Sequence, residues 1–166
     1  LQRSSIGILT MAQRDPMTTI PPGIIDVPVT PFTADNEIDL DTFGRVIEFL
    51  LRHNASSLCI NLHLAESLNL TLDERKRLAK TAVEVTARRV PVIVHVSTPG
   101  TDQAVDLARH AEKIGADCIT AIAPYYWKPS QDALYAHFSA IISATGLPFI
   151  AYSSPTIMDG IGISPE

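Results

Sequence analysis

Pro91-Val92-Ile93-Val94-His95-Val96 is a run of six residues that is apolar at nearly every position. Because both faces of such a run are apolar, it predicts a strand buried on both sides, which is typical of a parallel sheet covered by helices. Helix patterns flank it on either side. Before it, Thr71 and Glu74 have the spacing of a capping box, and after it Gly115 ends an amphipathic pattern. The stretch therefore predicts the centre of a parallel α/β domain.

The same alternation extends along most of the chain. Five strand patterns alternate with four helix patterns, and three of the helices are predicted to begin after the N-caps Asp39, Thr71 and Ser130. The second helix pattern runs to Arg88-Arg89, whose positive charges suit a helix C-terminus. The predicted strands are 23–29, 58–61, 91–96, 118–123 and 148–152.

Bulk composition narrows the class of protein. The chain of 166 residues is 46% hydrophobic and 19% charged, which is typical of a globular domain. The formal net charge of −5 argues against a nucleic-acid partner. No apolar run approaches the ~20 residues that a membrane span needs.

Residues 1–20 differ in character from the rest of the chain. Ile6-Gly7-Ile8-Leu9 is too short for the core of a secretory signal. We expect residues 1–20 to be a disordered leader segment and residues 21–166 to form one folded domain.

The two cysteines, Cys59 and Cys118, each lie in a predicted buried strand and lack C-x-x-C spacing. We interpret them as small apolar side chains in a reducing compartment, which predicts a cytoplasmic protein. A disulfide or a nucleophile is the alternative. No set of His, Asp and Glu has the spacing of a metal site, so neither a metal nor another cofactor is predicted.

Alternation alone does not distinguish a barrel from a doubly wound sheet. No Gly-x-Gly-x-x-Gly follows the first strand, which counts against a nucleotide-binding sheet. In a barrel the chemistry lies on loops at the carboxyl ends of the strands. The unusual residues are found at those positions: 30–32, 63–67, 97–98, 125–128 and 152.

Several of these loops carry a family resemblance. They are Val29-Thr30-Pro31-Phe32, Glu66-Ser67, Pro124-Tyr125-Tyr126-Trp127-Lys128-Pro129-Ser130 and Tyr152-Ser153-Ser154-Pro155. In this order they resemble the dihydrodipicolinate synthase / N-acetylneuraminate lyase family, over residues 23–166. The resemblance implies an α/β fold, a (β/α)8 TIM barrel, of which the chain covers about the first half to two-thirds.

The resemblance also implies a chemistry. In that family a lysine on the sixth strand condenses with the ketone of pyruvate or another 2-keto acid, and the imine accepts electrons while a carbon–carbon bond forms or breaks. By resemblance, Tyr152 is the proton-shuttling tyrosine, and Tyr126 is supplied across a dimer interface. The implied partners are a pyruvate-like 2-keto acid and further copies of the chain in a homo-oligomer.

Two departures from the family pattern concern the site. Leu62-His63-Leu64-Ala65-Glu66 replaces a Gly-Thr-Thr-Gly-Glu or Gly-Ser-Thr-Gly-Glu loop whose N–H groups hold the substrate carboxylate. His63 and Leu64 are therefore the candidates for carboxylate binding, and His63 for acid–base chemistry. Because Leu and Ala resist backbone angles that Gly allows, a distorted loop is expected. Ile157 stands in place of an arginine of the true synthases, which is more similar to the lyase branch.

The remaining expectations concern activity and association. The chain lacks the imine lysine, so we expect it to be inactive alone. Lys128 is interpreted as a solvated loop residue, Glu66 as a brace of its own loop and His95 as a hydrogen-bonded barrel residue. If nothing follows Glu166, the inner face of the half-barrel, with Ile93, His95 and Ile122 among its candidates, is expected to be uncovered. The alternative function is a non-catalytic family member, or a half-barrel that acts through association.

Overall fold

The computed structural model describes residues 20–125 and 127–153, and within them five strands alternate with helices. The strands are β1 (Ile25–Asp26), β2 (Ser57–Ile60), β3 (Val92–His95), β4 (Cys118–Ala121) and β5 (Phe149–Ala151). The helices are α1 (Leu40–Arg52), α2 (Leu72–Thr86), α3 (Thr101–Ile114) and α4 (Gln131–Ser143), with a short 3-10 helix at His63–Ala65. This confirms the predicted order of elements; β2 has the predicted length, and the other four strands are shorter than expected. Residues 1–19 of the predicted leader segment lie outside the described residues.

The five strands form one parallel sheet in the order β1-β2-β3-β4-β5. The sequential order means that each helix crosses over to the adjacent strand, as in successive units of a (β/α)8 barrel. The register continues across the sheet, since Cys59 lies beside Ile93 and Ile93 beside Cys118. The fold-class prediction is thus confirmed.

Local sequence signals set the helix ends. Asp39 accepts a hydrogen bond from the N–H of Thr42 at 2.9 Å and begins α1, and Ser130 begins α4 in the same way. Thr71 and Glu74 form the predicted capping box at the start of α2. Gly115 ends α3 with φ 85°, a left-handed conformation that glycine adopts without strain.

The end of α2 differs from the prediction. The helix stops at Thr86, and Ala87 and Arg88 both have positive φ, so Arg88 and Arg89 lie beyond the last turn. Arg89 still contacts this end, because its Nε donates to the Thr86 carbonyl at 3.0 Å. Its guanidinium also pairs with Glu48 of α1, at the surface.

Alternate residues of each strand face opposite sides of the sheet. One side packs against the helices through a large apolar cluster that includes Leu58, Val94, Ile119 and Leu134. The other side carries a small cluster of Cys59, Ile93 and Cys118, and Ile20 packs partly against it. The loops that follow the strands at the carboxyl edge lie above this inner cluster.

Candidate active site

The carboxyl edge brings together two of the predicted site residues, His63 and Tyr152. Their rings are nearly parallel, with centroids 6.2 Å apart and an interplanar angle of 6°. His63 begins the 3-10 helix after β2, and Tyr152 directly follows β5. The main-chain N–H of Tyr152 donates to the carbonyl of Ala121 at 2.9 Å, which holds the backbone of Tyr152 beside β4.

Hydrogen bonds hold the carboxyl end of the loop that carries His63. Thr30 Oγ1 donates to the carbonyl of Ala65 at 2.7 Å. Glu66 accepts a side-chain hydrogen bond from Asn69 at 3.1 Å, so it braces the loop as predicted. Leu64 is 62% exposed, with its side chain turned to solvent.

Leu62 and Ala65, which stand where the family has glycine, adopt backbone angles that do not require glycine. Leu62 has φ −70° and ψ 171°, an ordinary extended conformation, and Ala65 is not among the residues with positive φ. The left-handed positions are instead Asn61, with φ 62°, and Glu66, with φ 56°. The chain therefore forms this turn without glycine by placing an asparagine, which tolerates the left-handed region, ahead of it.

The loop after β4 is described in part. Tyr126 lies outside the described residues, so its predicted role stays a prediction. Its neighbour Tyr125 is half-buried; burial raises the pKa of the Tyr125 phenol, and the positive charge of Arg75 opposes part of that rise. Lys128 is exposed, in agreement with a loop residue at the surface.

A buried polar network that the sequence reasoning missed lies beneath His63. Asn61 Nδ2 donates to the carbonyl of Arg75 at 2.9 Å, and Arg75 Nη2 donates to the carbonyl of His95 at 2.8 Å. The third contact closes a ring of hydrogen bonds: His95 Nδ1 lies 2.8 Å from the carbonyl of Asn61. We call these three residues the Asn61–Arg75–His95 circuit. None of them is more than 3% exposed.

The circuit extends along the carboxyl edge to β4. Arg75 Nη1 donates to the carbonyl of Ser97 at 2.9 Å. Ser97 Oγ in turn accepts from the N–H of Ile122 at 2.7 Å. Hydrogen bonds thus connect Asn61, at the start of the His63 loop, through Arg75 and Ser97 to the carboxyl end of β4.

The electrostatics of the circuit follow from its burial. Burial, and then the charge of Arg75, lower the pKa of His95 to about 3, so the imidazole is neutral. Its Nδ1 faces a carbonyl and therefore carries the proton. Burial also lowers the pKa of Arg75 to about 10, which leaves the guanidinium charged near neutral pH. The prediction of a hydrogen-bonded His95 is confirmed.

Histidines at the helices have structural surroundings. The His53 ring lies beside that of Phe49, with centroids 4.1 Å apart and the planes tilted by 32°. His137 is buried and its Nδ1 lies 2.9 Å from Thr101 Oγ1. Within the described residues, no group of three or more His, Cys, Asp or Glu side chains is arranged to hold a metal ion.

An apolar cavity of about 250 Å³ opens on the inner face below Tyr152. Its lining residues are Ile25, Val27, Cys59, Leu62, Ile93, Thr120, Ile150 and Tyr152. The expectation that Ile93, His95 and Ile122 are uncovered is wrong, because none of them is more than 8% exposed.

The cysteines are inert side chains of this inner face. Two strand spacings separate Cys59 from Cys118, since each lies beside Ile93. That separation is ~9.5 Å, beyond the reach of a disulfide, and both thiols are free. Burial raises the pKa of each thiol to about 12, which counts against a nucleophile.

None of the helices in the described residues has the length and apolar character needed to span a bilayer.

Comparison with known proteins identifies relatives of this arrangement. The model of the dihydrodipicolinate synthetase family matches residues 21–166. A 4-hydroxy-tetrahydrodipicolinate synthase of Rhizobium meliloti is 42% identical over 133 residues, which are 80% of this chain and 45% of the relative. The chain thus spans about half the length of the curated relatives it matches.

Solved structures of members of this family are also similar to the chain. Dihydrodipicolinate synthase from Aquifex aeolicus aligns with a TM-score of 0.82 and 33% identity, over 86% of this chain and 48% of its own. A prophage protein of the dihydrodipicolinic acid synthase family from E. coli K12, solved in complex with pyruvate, aligns with a TM-score of 0.80 and 32% identity. That alignment covers 82% of this chain and 46% of the prophage protein.

Proposed function

Because this chain belongs to the dihydrodipicolinate synthetase family, we propose that the complete protein, the product of the whole reading frame, is a pyruvate-dependent aldolase or lyase. It forms or breaks a carbon–carbon bond of a 2-keto acid through an imine with a lysine. The observation that carries the proposal is the parallel pair of His63 and Tyr152 at the carboxyl edge, where barrel enzymes place their chemistry. The pyruvate bound by the E. coli prophage protein supports the substrate class.

Each residue of the pair has a separate task in this proposal. The phenol of Tyr152 gives and takes the protons that move when the imine forms and when the carbon–carbon bond changes. His63 lies against the Tyr152 ring, where its imidazole relays those protons. The main chain of His63 and Leu64, at the start of the 3-10 helix, binds the substrate carboxylate.

The imine lysine is proposed to come from outside these 166 residues. Of the chain's lysines, Lys76, Lys80 and Lys113 lie on the outer helices α2 and α3, away from the inner face. Lys128 is exposed in the loop before α4. We therefore assign the imine to a lysine on a further strand, and we expect the 166-residue chain alone to form none.

The acceptor specificity is proposed to be closer to the lyases. Ile157, which lies outside the described residues, replaces the arginine that binds an aldehyde's carboxylate in the true synthases. An apolar side chain there offers no partner to a carboxylate. We therefore expect poor turnover of an aldehyde that carries a carboxylate.

Assembly and location complete the proposal. We propose a homo-oligomer in which Tyr126 reaches the site of an adjacent copy. We propose the cytoplasm as its location, since two buried free thiols suit a reducing compartment.

A second candidate function is a non-catalytic family member. It is favoured by Leu64, whose exposed apolar side chain stands where the family has a hydroxyl. In that case the protein acts through association, and its native form makes no imine with a 2-keto acid.

Borohydride trapping with pyruvate tests the proposal. The complete protein is expected to gain a pyruvyl adduct on a lysine outside the 166 residues, found by mass spectrometry of its peptides. The 166-residue chain is expected to gain none. An adduct on Lys128 or another lysine of this chain contradicts the assignment, and no adduct on the complete protein favours the non-catalytic alternative.

A further inference from the structure

Among the described residues, Arg75 is a buried cation without a carboxylate partner. No Asp or Glu there forms an ion pair with it, and its Nε has no hydrogen-bond acceptor. Burial of a charge costs free energy, and apolar replacement of buried charged groups is often neutral or stabilising. The hydrogen bonds that Arg75 donates to the carbonyls of His95 and Ser97 offset part of this cost, and the geometry that they impose is the relevant property.

The contacts of Arg75 act on the residue where the His63 loop begins. Asn61 has its left-handed φ of 62° one residue before Leu62, at the point where the chain leaves β2. Two bonds of the Asn61–Arg75–His95 circuit hold Asn61, one through its amide and one through its carbonyl. Rotation of Asn61 out of this conformation breaks both bonds and redirects His63.

The same arginine also fixes the strand edge that faces the loop. Its two Nη atoms donate to the carbonyl of His95, the last residue of β3, and to that of Ser97, two residues further along the chain. The planar guanidinium fork sets these two carbonyls at a fixed separation, which a lysine does not reproduce. One side chain thus holds both the His63 loop and the strand edge that supports it.

We propose that the Asn61–Arg75–His95 circuit is a positioning device that holds the His63 ring parallel to Tyr152. Arg75, Asn61 and His95 act through His63 and do not touch the substrate. The proposal rests on the proposed function for its catalytic consequence, but the ring geometry itself is measurable without activity.

The test uses the complete protein labelled with ¹³C at histidine Cε1. The ring current of Tyr152 shifts the His63 signal, and Tyr152→Leu gives the reference position without stacking. Arg75→Met is expected to move the His63 signal toward that reference. Arg77→Met is the matched control, because Arg77 is exposed on the same helix, and it is expected to leave the signal unchanged.

Two further variants keep the test informative if Arg75→Met does not fold. Asn61→Gly removes the amide donor but retains access to positive φ, and it is expected to move the His63 signal in the same direction. Arg75→Lys is expected to give only partial recovery relative to Arg75→Met. An unchanged His63 signal in a folded Arg75→Met or Asn61→Gly protein overturns the proposal.

Kinetics separate this proposal from the proposed function. If the complete protein turns over a 2-keto acid, Asn61→Gly is expected to lower kcat by about tenfold or more with a smaller change in KM, and to alter the pH profile of kcat. An equal loss in kcat/KM through KM alone counts against positioning. If the native protein forms no imine, the proposed function fails while the His63 signal still decides the role of the circuit.

Discussion

At the residue scale, the phenol of Tyr152 is the group on which the proposed proton transfers depend. Tyr152→Phe retains the ring that lies against His63 and removes only the hydroxyl. In the complete protein, kcat is expected to fall by about 10²–10⁴, the usual range for a lost proton-transfer group. Steady-state kinetics measure it, with Tyr135→Phe as the control because Tyr135 is 77% exposed on α4. Unchanged turnover would leave Tyr152 as a packing residue.

His95 gives the chain a pH dependence of stability. Burial, and then the charges of Arg75 and His63, lower its pKa from 6.5 to about 3, against the hydrogen bond to Asn61. Between these values the unfolded chain binds a proton that the folded chain does not. The free energy of unfolding therefore falls as the pH is lowered from about 6.5 toward about 3.

The variant His95→Gln tests this dependence. Its free energy of unfolding is expected to change less between about pH 7 and about pH 4.5 than that of the parent, because glutamine does not titrate. Urea denaturation at the two pH values measures the difference. Equal changes for His95→Gln and the parent between the two pH values contradict the prediction.

At the element scale, the helices are predicted from residues that are close together in the sequence, whereas the missed hydrogen-bond network joins residues that are far apart in it. The capping box joins Thr71 and Glu74, three positions apart, and is visible in the sequence. The bonds of the Asn61–Arg75–His95 circuit join residues 14, 20 and 34 positions apart, which no periodicity reveals. One signal is available: Arg75 occupies the apolar stripe of α2 that continues through Leu78 and Ala79. A charge on such a stripe indicates a buried polar contact.

Strand bounds are less predictable than strand order. The sequence predicts a strand over 23–29, yet β1 is only Ile25–Asp26, and its pairing with β2 ends two residues before Pro28. Proline has no N–H to donate to a ladder. Apolar composition marks where a chain is buried, whereas hydrogen-bond pairing between strands decides how far a strand extends.

The capping box at the start of α2 has a measurable contribution. Thr71→Ala removes the hydroxyl that accepts from the N–H of Glu74 at 3.2 Å. The free energy of unfolding is expected to fall by about 1 kcal/mol. Chemical denaturation measures it, with Thr81→Ala in the interior of the same helix as the control. That control is expected to be neutral or slightly stabilising because alanine favours helix; a Thr71→Ala effect no larger than the control's argues against the cap.

At the scale of the whole molecule, the two outer strands of the sheet, β1 and β5, each have an unpaired side within the described residues. Among the described residues β1 pairs only with β2, and β5 pairs only with β4. A closed barrel of this family has eight strands and no edges. Unpaired N–H and C=O groups on an edge strand pair readily with another chain. Ile24 and Ile25, at 68% and 44% exposed, add apolar surface beside the β1 edge.

The 166-residue chain is therefore expected to self-associate when it is purified without further residues, because association covers the edges and the apolar surface beside them. Sedimentation velocity over a range around micromolar concentration measures the oligomeric state. Ile25→Lys places a charge on the β1 edge and is expected to reduce association. Leu68→Lys changes a side chain that is 60% exposed in the loop after β2, a strand that is paired on both sides, and is expected to leave association unchanged. A compact monomer that unfolds cooperatively would refute the prediction, since five strands would then be stable without partners for β1 and β5.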